Sequence, residues 1–145
     1  MGAVIVSDIT ACGGSGGGTD GPDPAIQPFV GTWDATVFTV TNLADTTVVA
    51  DLVANGSFDI VITASGIYTA TLVFGELGPV VEIGQLTVTE NFMTLTPTGA
   101  NPCPAASEFT FTADDYVVLD GPTCFDFNLD GTQEDAEAHL ELQRR

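Results

Sequence analysis

Residues 57–74 read SFDIVITASGIYTATLVF. Before Ser65-Gly66, the apolar residues Phe58, Ile60 and Ile62 fall on alternate positions. After it, Tyr68, Ala70, Leu72 and Phe74 do the same. Alternation with period two places one set of side chains on one face of an extended chain. Ser-Gly between two such runs is a turn signal. The stretch therefore predicts a hairpin of two half-buried strands, over 57–63 and 67–74.

The same period runs outward in both directions. Upstream lies a strand over 31–41, with Trp33, Ala35 and Val37 on one face. A long connection over 42–56 follows, whose VVADLVA stretch is either a short helix or an extra strand. Downstream comes a strand over 80–89, in which the apolar parity changes at Gly84: Val81 and Ile83 precede it, Leu86 and Val88 follow. A glycine at a parity slip predicts a β-bulge, and this phase places Glu82 on the outer face, as it does Asp59 in the strand over 57–63. Further strands are expected over 92–96 (Met93 and Leu95 inward), 107–112 (Phe109 and Phe111), 116–120 and 136–144 (Ala138, Leu140 and Leu142). The last contains good helix formers, but its strict alternation favours a strand.

Short and long links alternate along this series. In an antiparallel meander the two sets lie at opposite ends, one closed by tight turns and the other carrying large loops. Eight strands suit an all-β, antiparallel up-and-down barrel, which closes without free edges. A β-sandwich is the alternative.

The chain has 145 residues, enough for one core. It carries 20 Asp and Glu against 2 Lys and Arg, for a net charge of −18, and its cations are Arg144 and Arg145. No basic patch can be assembled, which excludes nucleic-acid binding through phosphate neutralisation. Attraction to anionic lipid is disfavoured for the same reason. The 20 Thr residues, with many Val, Ile and Phe, favour strands. No segment reaches the ~18 apolar residues of a membrane span.

Residues 1–28 read as a leader and 29–145 as the folded domain. Ile9-Thr10-Ala11-Cys12 resembles the bacterial lipobox, and the Gly/Ser run behind it has the composition of a flexible tether. That resemblance implies a lipid on Cys12, membrane contact through that anchor alone, and a place in the cell envelope (periplasm or outer membrane) or outside the cell. The leader lacks a positive n-region, and Asp8 interrupts its apolar run. The other reading is a Gly-rich leader with a stray cysteine.

Gly31-Thr32-Trp33 and Arg144 resemble the signature of the lipocalin-like (calycin) barrels, in particular the small lipocalin-like domains of bacterial envelope lipoproteins. G-x-W opens the first strand of that family, and an arginine ends its last. The turn Thr112-Ala113-Asp114-Asp115-Tyr116 stands where the family often has T-D-Y, with one residue inserted. The resemblance spans about 29–145 and implies structural roles for Trp33 and Arg144, which should stack at the closed end. The long C-terminal helix of full-length lipocalins has no counterpart here.

The two late loops carry the remaining chemistry. Cys103 and Cys124 fall in loops expected at the same end. Outside the cytoplasm an even pair favours a disulfide; otherwise they are two buried thiols. Residues 126–137 match D-x-[DN]-x-[DN]-G-x5-E in full. Asp126, Asn128, Asp130, the Gln133 carbonyl and a bidentate Glu137 would supply oxygens to Ca2+. The alternative is a solvated, Asx-rich turn.

No catalytic constellation stands out. His139 is the sole histidine and has outward parity, and Ser57, Ser65 and Ser107 have no histidine partner in a recognisable motif. The expected function is therefore non-enzymatic: a barrel that binds a small apolar ligand. Its walls would be Ala35, Val37, Phe58, Tyr68, Ala70, Met93, Phe109, Phe111, Ala138 and Leu140. The alternative is a structural or adhesive module stiffened by calcium and the disulfide.

Overall fold

The computed structural model describes residues 23–99, 103 and 106–145. Its strands are β1 (Gly31–Asn42), β2 (Val49–Asp51), β3 (Gly56–Ile62), β4 (Ile67–Phe74), β5 (Leu77–Thr89), β6 (Phe92–Pro97), β7 (Ala106–Ala113), β8 (Tyr116–Phe125) and β9 (Glu134–Arg144). All belong to one antiparallel sheet, and β9 returns to β1 from Trp33↔Arg144 to Asn42↔Ala136. β1 and β3 to β9 thus form a closed up-and-down barrel of eight strands, which settles the choice against a sandwich. The VVADLVA stretch yields the extra strand: β2 pairs Thr39–Thr41 of β1, above the point where β3 pairs Gly31–Asp34.

The turns β3–β4, β5–β6 and β7–β8 lie at one end with the start of β1 and the end of β9. The other end carries the loops flanking β2, Thr98-Gly99, Cys103 and the segment 126–133. One link is tighter than the sequence suggested. Phe74 pairs with Leu77, so Gly75-Glu76 is a hairpin turn, with Gly75 at φ 57°.

At the closed end, the 3-10 turn Gln27–Phe29 carries Ile26 and Phe29 into the barrel floor, where both are buried. Packing thus begins by Ile26, ahead of the expected boundary at 29. The lipobox and Cys12 lie outside the described residues. Trp33 is fully buried, and its Nε1 donates to the Phe29 carbonyl at 2.7 Å. The Arg144 guanidinium stacks 4.1 Å from the indole centre. It also donates to the carbonyls of Val30 and Pro28, the latter at 2.6 Å. Gly31 has φ +131°, and a Cβ there would stand 2.9 Å from the Arg144 guanidinium. The glycine of G-x-W is therefore required both by its backbone and by the arginine beside it.

The expected bulge at Gly84 does not exist. β5 pairs without a slip through Tyr68↔Gly84 on one side and Gly84↔Pro97 on the other. Val81 and Ile83 point outward, 56% and 49% exposed. Glu82, expected outside, instead faces the barrel interior among the cavity-lining side chains. Gly84 is glycine for close approach: a Cβ would lie 2.7 Å from the Tyr68 hydroxyl and 2.3 Å from the Thr96 carbonyl. A register shift occurs instead in β1, where Ala35 pairs with Leu142 but Val37 with Glu141. Thr36 is the extra residue, so Phe38 and Val40 take up the inward phase and Val37 leaves it.

Candidate ligand-binding site

Two packed regions leave a space between them. Toward the closed end, Trp33, Phe29, Ile60, Tyr68, Leu86 and Val117 fill the barrel. Toward the other end, Val40, Leu52 and Ala136 pack with Phe74 and Phe125. Between the two lies a cavity of about 250 Å³ that leads to a wider mouth among the loops.

Five of the expected wall residues line this cavity: Phe58, Ala70, Met93, Ala138 and Leu140. The other five do not. Ala35, Phe109 and Phe111 sit lower, against the core around Trp33. The Phe29 ring lies 4.9 Å from that of Phe109 and 5.0 Å from that of Phe111. These aromatics fill the floor because the 3-10 turn inserts Phe29, which no strand pattern announces. Val37 is turned out by the bulge at Thr36. Tyr68 is wholly buried beneath the cavity.

Sequence reasoning missed Phe38, Leu72, Val80, Leu95 and Leu119, which complete the apolar wall, and Glu82. Leu72 and Leu95 were legible as inward residues, whereas Phe38 and Glu82 were lost with the misplaced bulge. The Tyr68 hydroxyl donates to Glu82 Oε1 at 2.6 Å. Burial, and then this carboxylate, raise the Tyr68 pKa well above the ordinary phenol value. The hydroxyl therefore stays protonated and holds Glu82 in place. Glu82 pairs across the sheet with Ala70, whose small side chain leaves room in front of it.

Cys103 and Cys124 form a disulfide, with Cα atoms 5.3 Å apart. It ties the segment after β6 to the end of β8 at the cavity mouth. Gln133 turns its side-chain oxygen to this bridge, 2.7 Å from Cys124 Sγ.

In the 126–133 loop, the expected calcium oxygens serve the loop's own backbone. Asp126 accepts from Asp130 N at 3.1 Å and Gly131 N at 2.8 Å, and Asn128 accepts from Asp130 N at 3.1 Å. Asp130 accepts from Thr132 N at 2.7 Å, which lowers its pKa. Glu137 lies inside β9, paired with Thr41 and Pro122 and facing out of the barrel. Among the described residues no three His, Cys, Asp or Glu side chains gather as a metal site. Glu137, the expected bidentate ligand, thus stands in β9 rather than in the 126–133 turn.

On the outer wall, His139 Nδ1 lies 2.5 Å from Asp120 Oδ1 and its Nε2 3.2 Å from Glu141 Oε1. Glu141 also accepts from the Tyr116 hydroxyl. The imidazole contacts carboxylates on both sides, which suits a cation held on the surface.

No family model and no curated protein matches the chain. A solved structure, EF1p2_mFAP2b bound to DFHBI, is similar in fold, with a TM-score of 0.51 at 19% identity over 83% of this chain and 97% of that one. Both are antiparallel β-barrels of similar course. At such identity the likeness concerns the fold.

Proposed function

We propose that this protein is a non-enzymatic barrel that holds a small apolar ligand between its packed floor and its loop-ringed mouth. The cavity between Phe58, Ala70, Met93 and Leu140 carries this reading. Apolar, preformed concavities of a few hundred Å³ with a few polar groups are how small-ligand sites are built. The calycin-like fold supports it, and the similar solved structure has a small molecule bound. Envelope or extracellular placement, with a lipid on Cys12, belongs to the same proposal. It rests on the lipobox resemblance and is supported by the disulfide, a bond of oxidising compartments.

Filling the cavity tests the reading. Ala138→Phe adds a ring where Ala138 lines the space. It is expected to abolish uptake of a neutral apolar fluorophore such as N-phenyl-1-naphthylamine while the protein remains folded by circular dichroism. Undiminished uptake in a folded variant would place binding elsewhere and remove the proposal.

A further inference from the structure

Charge is divided unevenly around the barrel. On β7, β8, β9 and β1 the outward positions include Glu108, Asp120, Asp135, Glu137, Glu141 and Asp34, with Glu108 paired directly to Asp120. The wall made by β3, β4, β5 and β6 is different. Over 57–61, 67–73, 81–89 and 92–96 its outward positions hold Val, Ile, Thr, Ser and Gln, with Phe92 at the β7 margin. Among these described residues Asp59 is the sole carboxylate facing out. It stands at the β1 margin, paired with Asp34, which Arg145 binds. Glu76 and Glu90 lie in the turns at the two ends of the wall.

The centre of this wall is apolar. Val61 pairs with Thr69, and Thr69 with Ile83; Ile67 and Val81 stand in the rows on either side. Val61 is 39% exposed and Val81 56%, with Ile67 and Ile83 between them. Side chains so spaced on one sheet face touch, so they form a single patch rather than scattered residues, and such a patch marks a contact surface. Its lack of charge narrows what can cover it. A cationic partner would be drawn to the acidic wall instead, and an anionic one is repelled by a chain of net charge −18. An uncharged, apolar face fits, and a second copy supplies one. Two copies meeting here also hold their acidic walls on opposite sides of the pair, where repulsion is least.

We propose that this wall is the contact face of a two-fold dimer of the chain, in which the patches of Val61, Ile67, Val81 and Ile83 cover one another. The contact is isologous, as two-fold pairs of one chain are. Four strands spaced and extended as in any sheet offer roughly 400 Å² per copy, less than the ~800 Å² per partner of a standard interface. The dimer is therefore a transient one. It involves the outer wall and stands apart from the cavity reading.

The test is sedimentation equilibrium of the full chain from about 20 µM to 1 mM, in 10 mM and in 0.5 M NaCl, which leave and remove long-range repulsion. The average mass should rise with concentration toward that of two chains, and association should be about tenfold tighter in the higher salt, where the acidic walls are screened. Val61→Glu and Ile67→Glu alter exposed positions and should stay folded by circular dichroism. Each should weaken association by at least about tenfold, because it places like charges in the contact. Thr110→Glu adds the same charge on β7 and should leave association unchanged. A chain that stays monomeric in high salt overturns the proposal. So does association that all three variants weaken alike, since net charge and not this wall would then govern it. Association that weakens as salt rises would indicate an ionic contact elsewhere and is equally fatal. A monomer that instead sediments with neutral phosphatidylcholine vesicles, and loses this in Val61→Glu, would assign the wall to a lipid surface and overturn the dimer.

Discussion

Arg144 does several jobs at once. It covers Trp33 at 4.1 Å and bonds the carbonyls of Pro28 and Val30, which belong to the segment that plugs the floor. Arg144→Ala should cost about 2–3 kcal/mol in urea unfolding, from the lost cation–π contact and the unmet carbonyls. Arg144→Lys should recover little, since an ammonium cannot stack flat and bond two carbonyls together. His139 makes a second residue-scale prediction. The hydrogen bond it donates to Asp120 raises its pKa, burial opposes this, and the bond to Glu141 adds to it. A raised folded-state pKa means that the folded state holds the proton more tightly. The added stability is fully present below pH ~6.5, the unfolded value, and is lost as pH rises through the folded value. The melting temperature of wild type should therefore exceed that of His139→Gln at pH 6, with the gap closing on the alkaline side. A gap independent of pH would show that packing, not the proton, is responsible.

At the scale of elements, most of the strand pattern was legible and two phases were not. The hairpin around Ser65-Gly66 was legible because its alternation is uninterrupted. β1 was not, since Val37 and Phe38 are both apolar and either could continue the inward face. Pairing with Leu140 decides for Phe38. In β5 Val81 and Ile83 flank Glu82, so hydrophobicity pointed the wrong way at Glu82. β8 runs on through Gly121-Pro122, a dipeptide that reads as a loop. Its pairing with β7 ends at Glu108↔Asp120, so Pro122 faces no β7 partner and needs no amide hydrogen there. Of the candidate site, the part of the wall made by Phe58, Ala70, Met93, Ala138 and Leu140 was legible, and Glu82 was hidden by the wrong phase.

The 126–133 turn makes a prediction at the same scale. Asp126 accepts two backbone amides, so Asp126→Ala should cost about 1–2 kcal/mol, equally in chelator and in millimolar calcium. A loss that appears with calcium alone, shared by Glu137→Ala, would make the loop a metal site after all.

For the whole molecule, the charge of −18 is the dominant electrostatic fact. Self-repulsion opposes the compact state. Salt shortens its reach, to about 8 Å at 0.15 M. The melting temperature should rise by several degrees between 10 mM and 0.5 M NaCl. A flat profile would mean that the carboxylates are spread too widely to matter.

Closure of β1 onto β9 also sets an order of events during synthesis. β1 leaves the ribosome early, while the strand that covers its edge from Trp33 to Asn42 is made late. At roughly 5–20 residues per second, the stretch between them takes on the order of ten seconds. Throughout that time a nascent chain presents a long unpaired edge, the usual template for aggregation. Asp34 stands in that edge, and the chain around it is almost wholly anionic. Two incomplete chains therefore repel one another before either can borrow the other's strand. The acidity that strains the finished barrel protects the unfinished one.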